Sequence, residues 1–420
     1  MPVPAEQTMI EFQPAAPFDE RFPAAELKAR HARMRGLLRA VMPEADGLLL
    51  MGDTCLYYAS GTMPAGALWL PADGEPVLFV RKGLDRARQE SPLANIVPFR
   101  SFSEFAALSR EAGSPMPEHG RIAINMAAVT WSTAELLKQK LPGVKFVSGD
   151  AIIKRCRSVK SSWEIAKIRR AGAIHAHCLR HELPALLHPG MTEWQIAGEV
   201  KALYRASGDS GYVRLTAPGR VSFGGVAAGD SGLYPIAFDG PLGLRGLHPA
   251  VPYGGSREAV WQAGQLLTVD MPCCVEGYLS DKTVTYFSGR NVPDDVKAAA
   301  DCCADIYEQT RSRLSAWALP SELWALAQSI AAKHGLAECF MGFGPERVRF
   351  LGHGIGLEMD EYPAIAAKFG DPLEPGMVIS LEPQIAVPGK GMVGMEDTFL
   401  VGSGPAESLS GPAQPLVFVD

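Results

Sequence analysis

Nothing in the 420 residues of this chain reads as a membrane span, a disulfide scaffold or a nucleic-acid surface. No segment approaches the roughly 18 uninterrupted apolar residues that a transmembrane helix needs. The first 22 residues are Pro-rich and show no basic stretch followed by an apolar run, so a cytoplasmic location is expected. Eight cysteines include two adjacent pairs, Cys273-Cys274 and Cys302-Cys303, but no CxxC, which suits neither a disulfide framework nor a zinc finger. They read as reduced thiols. A net charge of −6 with a pI near 5.9 excludes the basic face that nucleic acid or an acidic membrane would require. There is no low-complexity tract and no securely readable internal repeat. The glycines of Gly352-His353-Gly354-Ile355-Gly356-Leu357 are not spaced as GxGxxG, and no phosphate-cradling lysine follows, so this is not a nucleotide loop. His177 and His181 stand at i, i+4, yet no acid or cysteine accompanies them at ligand spacing; with His175 they read as packed or solvated helix histidines.

What is present is the composition of an ordinary globular protein, 47% hydrophobic and 20% charged, with length for two or three domains. Helical spacing of Leu27, Met34, Leu37 and Leu38 opens the chain after its N-terminal arm. Strand-like runs follow at residues 47–52, 55–61 and 67–80, the last broken by Ala72-Asp73-Gly74 into a hairpin. Further strands at 121–126 and 145–148 flank a helix at 133–140. Alternating strands and helices over some 150 residues describe an α/β domain. The boundary falls between Asp150 and Ser162, giving domains 1–155 and 156–420. Ser161 or Ser162 caps the long helix that follows, and Thr192 with Gln195 forms a capping box for the next. A Gly/Pro-rich stretch at 207–257 is irregular enough to be functional or flexible. Helices resume at 296–314 and 322–333.

The stretch from Leu266 to Tyr286 places Asp270 and Asp281 symmetrically about the point between Val275 and Glu276. Folded there as a hairpin, with Cys273 and Cys274 in its turn, it sets the two acids against each other on one face. Like charges so placed repel, and something positive is expected between them. Near the C-terminus Glu382 and Glu396 are likewise symmetric about Gly389, in the turn-rich VPGKG stretch. Between the two hairpins lies His353, among glycines that let its backbone approach a ligand or another strand. Four carboxylates and a neutral imidazole carry −4, which two divalent cations cancel while leaving room for a water: a dinuclear hydrolytic site. The thiolate-free donors point to manganese, cobalt, iron or zinc.

With DxxxxxxGYxSDxT, GHGIGL, LEP and EDT around Asp270, Asp281, His353, Glu382 and Glu396, the chain resembles the creatinase/aminopeptidase P/prolidase family. Val159-Lys160-Ser161 followed by the Glu164–Ala171 helix reproduces that family's domain transition, and LYYASGT and GEPVLFVRK carry a weaker likeness to its N-terminal domain. The resemblance implies a creatinase-like α/β N-terminal domain before an α+β catalytic domain of pita-bread fold. It also implies two divalent ions, manganese first among them, and a homodimer whose N-terminal domains narrow access. Glu382 would serve as ligand and proton shuttle together. His248 is a candidate for the family's substrate-binding histidine, although another alignment puts that slot at Tyr234-Pro235, with no histidine.

Two positions depart from the family pattern. Asp360 stands where the peptidases carry a second histidine facing the scissile group, and is expected to act on substrate. Gly394 stands where proline dipeptidases carry an arginine for the substrate carboxylate. The function expected is an Xaa-Pro aminopeptidase-like metallohydrolase. The alternative is a non-peptidase enzyme on the same scaffold, a lyase or C–N hydrolase acting on a small molecule; a non-catalytic binding protein would have lost ligands that this chain keeps.

Overall fold

The computed structural model of the protein describes residues 21–215 and 224–419. They divide into two compact units, one ending at Arg157 and one running from Ser158 to the C-terminus.

In the N-terminal unit the helix Ala24–Val41 buries Leu27, His31, Met34 and Leu38 on one stripe, the spacing of an amphipathic helix. A six-stranded sheet runs in the order Asn95–Pro98, Val77–Lys82, Ala65–Pro71, Gly47–Leu50, Gly120–Ile124, Val144–Ser148. Ala65–Pro71 pairs antiparallel with Val77–Lys82, across the Ala72-Asp73-Gly74 turn, and with Gly47–Leu50, whereas Gly120–Ile124 pairs parallel with Gly47–Leu50 and with Val144–Ser148. The core gathers Leu49, Trp69, Phe79, Phe105, Ile122 and Leu137. One expectation fails here: residues 55–61 are no strand but the end of a helix, Asp53–Ser60, closed by Gly61 in the left-handed conformation. Its aromatic, largely apolar letters suit either element. Burial of Cys55, Leu56, Tyr58 and Ala59 leaves no polar face by which a helical period would announce itself.

The C-terminal unit opens with the helix Ser162–His177, capped by a reciprocal box in which Ser161 accepts from the Glu164 amide and Glu164 accepts from the Ser161 amide. Thr192 and Gln195 do the same for Glu193–Ala206. Two helices, Asp294–Arg311 and Pro320–Lys333, pack with the Val378–Leu381 and Asp397–Leu400 strands in one core cluster. A four-stranded sheet contains the long hairpin Leu266–Val275/Tyr278–Ser288, and a five-stranded sheet contains Gly352–Gly354 between Glu361–Ala364 and Val378–Leu381. Glu193, fully buried, pins the irregular segment at two points: its carboxylate accepts from the Ala228 amide at 2.8 Å and the Ser256 amide at 2.8 Å. Part of that Gly/Pro-rich stretch, residues 216–223, lies outside the described residues.

Candidate metal centre and substrate cleft

The hairpin that carries Asp270 and Asp281 turns one residue later than its symmetry suggests. Val275 pairs with Tyr278, and Glu276 and Gly277 form a two-residue turn with φ of 51° and 87°. Positive φ at both central residues is the turn that matches strand twist. Glu276 is held in this unusual conformation by ion pairs to Lys167 and Arg170. Cys273 and Cys274 therefore lie in the strand, buried, and not in the turn. Asp270 pairs with Thr283 and Asp281 with Pro272, so the two acids are diagonal neighbours on one face and not directly opposed.

The second hairpin keeps the expected register. Gln384 pairs with Gly394 and Leu381 with Asp397, which sets Glu382 against Glu396. Between those pairs the ladder is interrupted: the Glu382 amide donates to Leu351 O and the Glu396 amide to Thr283 O. Both glutamates thus sit where the hairpin opens to join neighbouring strands. His353 pairs with Ser380 on the adjoining strand. A Cβ on Gly352 would lie 2.1 Å from the Ser380 carbonyl oxygen, so the glycine beside the histidine serves close strand approach.

These elements converge. One ligand atom each from Asp281, His353 and Glu396 lies within 4.8 Å of the others, and His353 Nε2 is 3.3 Å from Glu382 Oε1. His353 Nδ1 is 3.1 Å from the Gly354 carbonyl, which can only accept, so Nδ1 carries a proton and Nε2 is the ring nitrogen turned toward the acids. Glu396 accepts from Ser380 Oγ at 2.6 Å and from Thr283 Oγ1 at 2.7 Å. The Gln384 amide, fully buried, lies beside Asp270 and favours its charged form, without reaching hydrogen-bond geometry. Behind the site His175, buried between Tyr204 and the Ser280 carbonyl, stays neutral because burial pushes its pKa down to about 3.

Burial, followed by the repulsion of neighbouring carboxylates, raises the pKa of Asp270, Asp281 and Glu382 well above the usual range. Glu396 is raised by burial too, against the hydrogen bond from Ser380. Among the described residues, no lysine or arginine forms an ion pair with any of the four. An oxygen-rich cluster with one imidazole, destabilised by its own charge, is a donor set that divalent cations fit.

A cleft with about 540 Å³ of empty volume, part of it open to solvent, reaches this cluster. Asp360 lines it, its Oδ1 3.9 Å from His353 Nδ1, and its pKa is raised by burial against the pull of His353. The turn before Asp360 is capped by its neighbour: Glu361 Oε1 accepts from the Leu357 amide at 2.9 Å and the Glu358 amide at 3.2 Å. His248 is not among the residues lining the cleft. It is exposed in a short turn, where Nδ1 accepts from the Ala250 amide at 3.1 Å. The alternative slot, Tyr234-Pro235, is also exposed. Gly394 is enclosed: a Cβ there would meet Thr283 at 2.8 Å and Gln384 at 3.1 Å.

Residues 166–403 match the sequence profile of metallopeptidase family M24, more than half of the chain. The chain belongs to this family. Residues 30–159 match the creatinase/prolidase N-terminal domain. The M24 chain is 26% identical to the Xaa-Pro dipeptidase of Pyrococcus furiosus over 374 residues, 87% of this chain and 93% of that one. Among solved structures, the Xaa-Pro dipeptidase of Bacillus anthracis matches with a TM-score of 0.77 at 22% identity, covering 93% of this chain and 99% of the other. The X-Pro aminopeptidase of Thermotoga maritima matches with 0.74 at 22% identity, covering 93% and 100%. The creatinase-like N-terminal domain and the pita-bread catalytic fold implied by the sequence motifs are those of these relatives.

Sequence reasoning missed the hydroxyls of Thr283 and Ser380 and the acid Asp239 in the cleft wall. Strand parity could have found Thr283, two residues after Asp281 on the same face. Asp239 sits in the irregular segment, where no period exists to read.

Proposed function

We propose that this M24 chain is a dinuclear-metal-dependent aminopeptidase of the Xaa-Pro type, releasing the N-terminal residue from peptides with proline second. Asp270, Asp281, His353, Glu382 and Glu396 would hold two divalent ions, and their oxygen and nitrogen donors suit manganese, with cobalt, iron or zinc as alternatives. Such ions, when bound, polarise a carbonyl and lower the pKa of a water molecule. Glu382, which lines the cleft with Oε1 3.3 Å from His353 Nε2, would take up a proton and return it to the leaving amine. Ser380 and Thr283 fix Glu396 and with it the opposite side of the cluster.

The observation that favours an aminopeptidase over a dipeptidase is the cross-strand pair Gln384–Gly394. Where an arginine could meet the carboxylate of a free dipeptide there is a glycine with no room for a side chain, and no lysine or arginine lines the cleft among the described residues. A lost charge-assisted hydrogen bond costs about 1.5 to 3 kcal/mol, or roughly 10- to 100-fold. With manganese-loaded protein, kcat/KM for Ala-Pro-Ala is expected to exceed that for Ala-Pro by that factor. A preference for the dipeptide would reject the aminopeptidase reading. Cleavage of neither peptide would leave the non-peptidase reading, which Asp360 favours because an ionised carboxylate does not donate to a developing oxyanion.

A further inference from the structure

The acids of the cluster are not equally held. Glu396 has the hydroxyls of Ser380 and Thr283, and Asp281 Oδ1 accepts from the Lys282 amide at 3.0 Å. Asp270 lies outside the triad that Asp281, His353 and Glu396 form. Two polar side chains, Thr283 and Gln384, adjoin its carboxylate and favour the charged form. Thr283 pairs with Asp270 across the strands, but a hydroxyl has one proton, and this one goes to Glu396 at 2.7 Å. That leaves Gln384. Its side chain is fully buried, and among the described residues neither Oε1 nor Nε2 has a hydrogen-bond partner. The large majority of buried polar side chains in folded proteins are paired, so an amide open at both ends next to a carboxylate points to a bond that forms with the ligand. The backbone beneath it is fixed: Cys303 Sγ donates to the Pro383 carbonyl at 3.1 Å and the Met341 amide to the Gln384 carbonyl at 2.9 Å. The side chain lies across Gly394, its strand partner, where a Cβ would come within 3.1 Å of Cγ and Cδ. The same Cβ would meet the Thr283 methyl at 2.8 Å, so the glycine leaves open the space through which Gln384 reaches the Asp270–Thr283 pair.

We propose that Gln384 is a positioning residue for Asp270: its Nε2 donates to the Asp270 carboxylate when a divalent cation is bound, and so fixes the one aspartate that lies outside the Asp281–His353–Glu396 triad. This role presupposes the proposed metal centre. The oxygen end of the amide would repel a carboxylate, which sets which way round the side chain sits. A hydrogen bond from behind holds a ligand oxygen in the direction of its cation, and a side chain on an anchored strand supplies it with little freedom to lose.

Manganese binding, measured by calorimetry on the metal-free full chain, is compared between wild type and Gln384→Met, which keeps an unbranched side chain of similar length and removes the donor. Wild type is expected to take up two ions. Gln384→Met is expected to bind one of them about 10- to 100-fold more weakly and the other, held by the triad, within about threefold. Its metal-free stability in denaturant titration should equal or exceed that of wild type, because the thioether leaves no unpaired amide to bury. A merely structural side chain would do the reverse, lowering stability without moving either affinity. Equal weakening of both ions, or of neither, overturns the inference while leaving the metal centre in place; a wild type that binds no manganese rejects the metal centre and this role with it. Should Gln384→Met not fold, a crystal structure of manganese-loaded wild type gives the answer. A terminal atom of Gln384 about 2.7–3.2 Å from an Asp270 carboxylate oxygen upholds the inference, and a greater separation overturns it.

Discussion

Asp360 lines the cleft beside His353 without belonging to the expected ligand set. Asp360 Oδ1 stands 3.9 Å from His353 Nδ1, and its carboxyl is raised in pKa by burial. It is close enough to influence the imidazole, and a role as a base toward substrate is the proposal its place in the cleft supports. Because Glu361 caps the adjacent turn, removing the Asp360 carboxylate should leave the backbone in place. Asp360→Ala is expected to lower kcat by about 10²-fold or more, the usual range for an acid–base group. Metal content measured by elemental analysis should not change. If Asp360→Ala and Asp360→His both keep wild-type kcat and KM, Asp360 does not act on substrate. His248, exposed and engaged with the Ala250 amide, has no comparable claim.

At the scale of elements, the two ligand hairpins are tied together from behind. Strand alternation puts Asp281 and Thr283 on the face of the acid cluster and Lys282 on the other. Lys282, fully buried, pairs there with Asp397, the residue after Glu396, and donates to the Gly411 carbonyl at 3.2 Å. Asp397 also accepts from Tyr307, from Ser410 Oγ at 2.9 Å and from the Ala413 amide at 2.8 Å. Each member of the ion pair thus neighbours an acid of the cluster on a different hairpin. Lys282→Met strands a buried carboxylate and is expected to destabilise the protein by about 3 to 5 kcal/mol in denaturant titration, whereas adding Asp397→Asn should recover part of the loss. If Lys282→Met alone is neutral, the pair does not tie the hairpins. None of this pair was legible beforehand, because a lysine and an aspartate 115 positions apart show no pattern until the strands are aligned. The pairing of the four acids was legible because each pair straddles a local turn. The Gly389 loop centred the second hairpin correctly, while the Glu276-Gly277 turn moved the first by one residue and made its acids diagonal. Capping boxes at Ser161 and Thr192 were read for the same local reason. The Asp53–Ser60 helix and the cleft wall around Asp239 were not, since burial and long-range anchoring decide them.

For the whole molecule, a self-repelling buried cluster that binds cations would link metal content to stability, and only in one unit. The N-terminal unit has its own core around Trp69, Phe79 and Phe105, and the acids all lie beyond Ser158. An ion bound by the native arrangement and not by the unfolded chain adds about 2.7 kcal/mol at a hundredfold excess over its Kd. That corresponds to about a hundredfold change in the opening equilibrium read by amide exchange. Chelation of manganese-loaded protein is therefore expected to speed hydrogen exchange by up to that factor in Leu266–Val275, Tyr278–Ser288 and Val378–Leu381. Gly47–Leu50 and Val77–Lys82 should stay within about twofold. Asp281→Asn, which takes a ligand from the cluster and relieves part of its repulsion, should exchange alike with and without chelator. Acceleration spread evenly over both units, or none in the ligand strands while elemental analysis shows the metal gone, would mean that the four acids are balanced by something other than bound cations. The buried acids would then not constitute a metal centre.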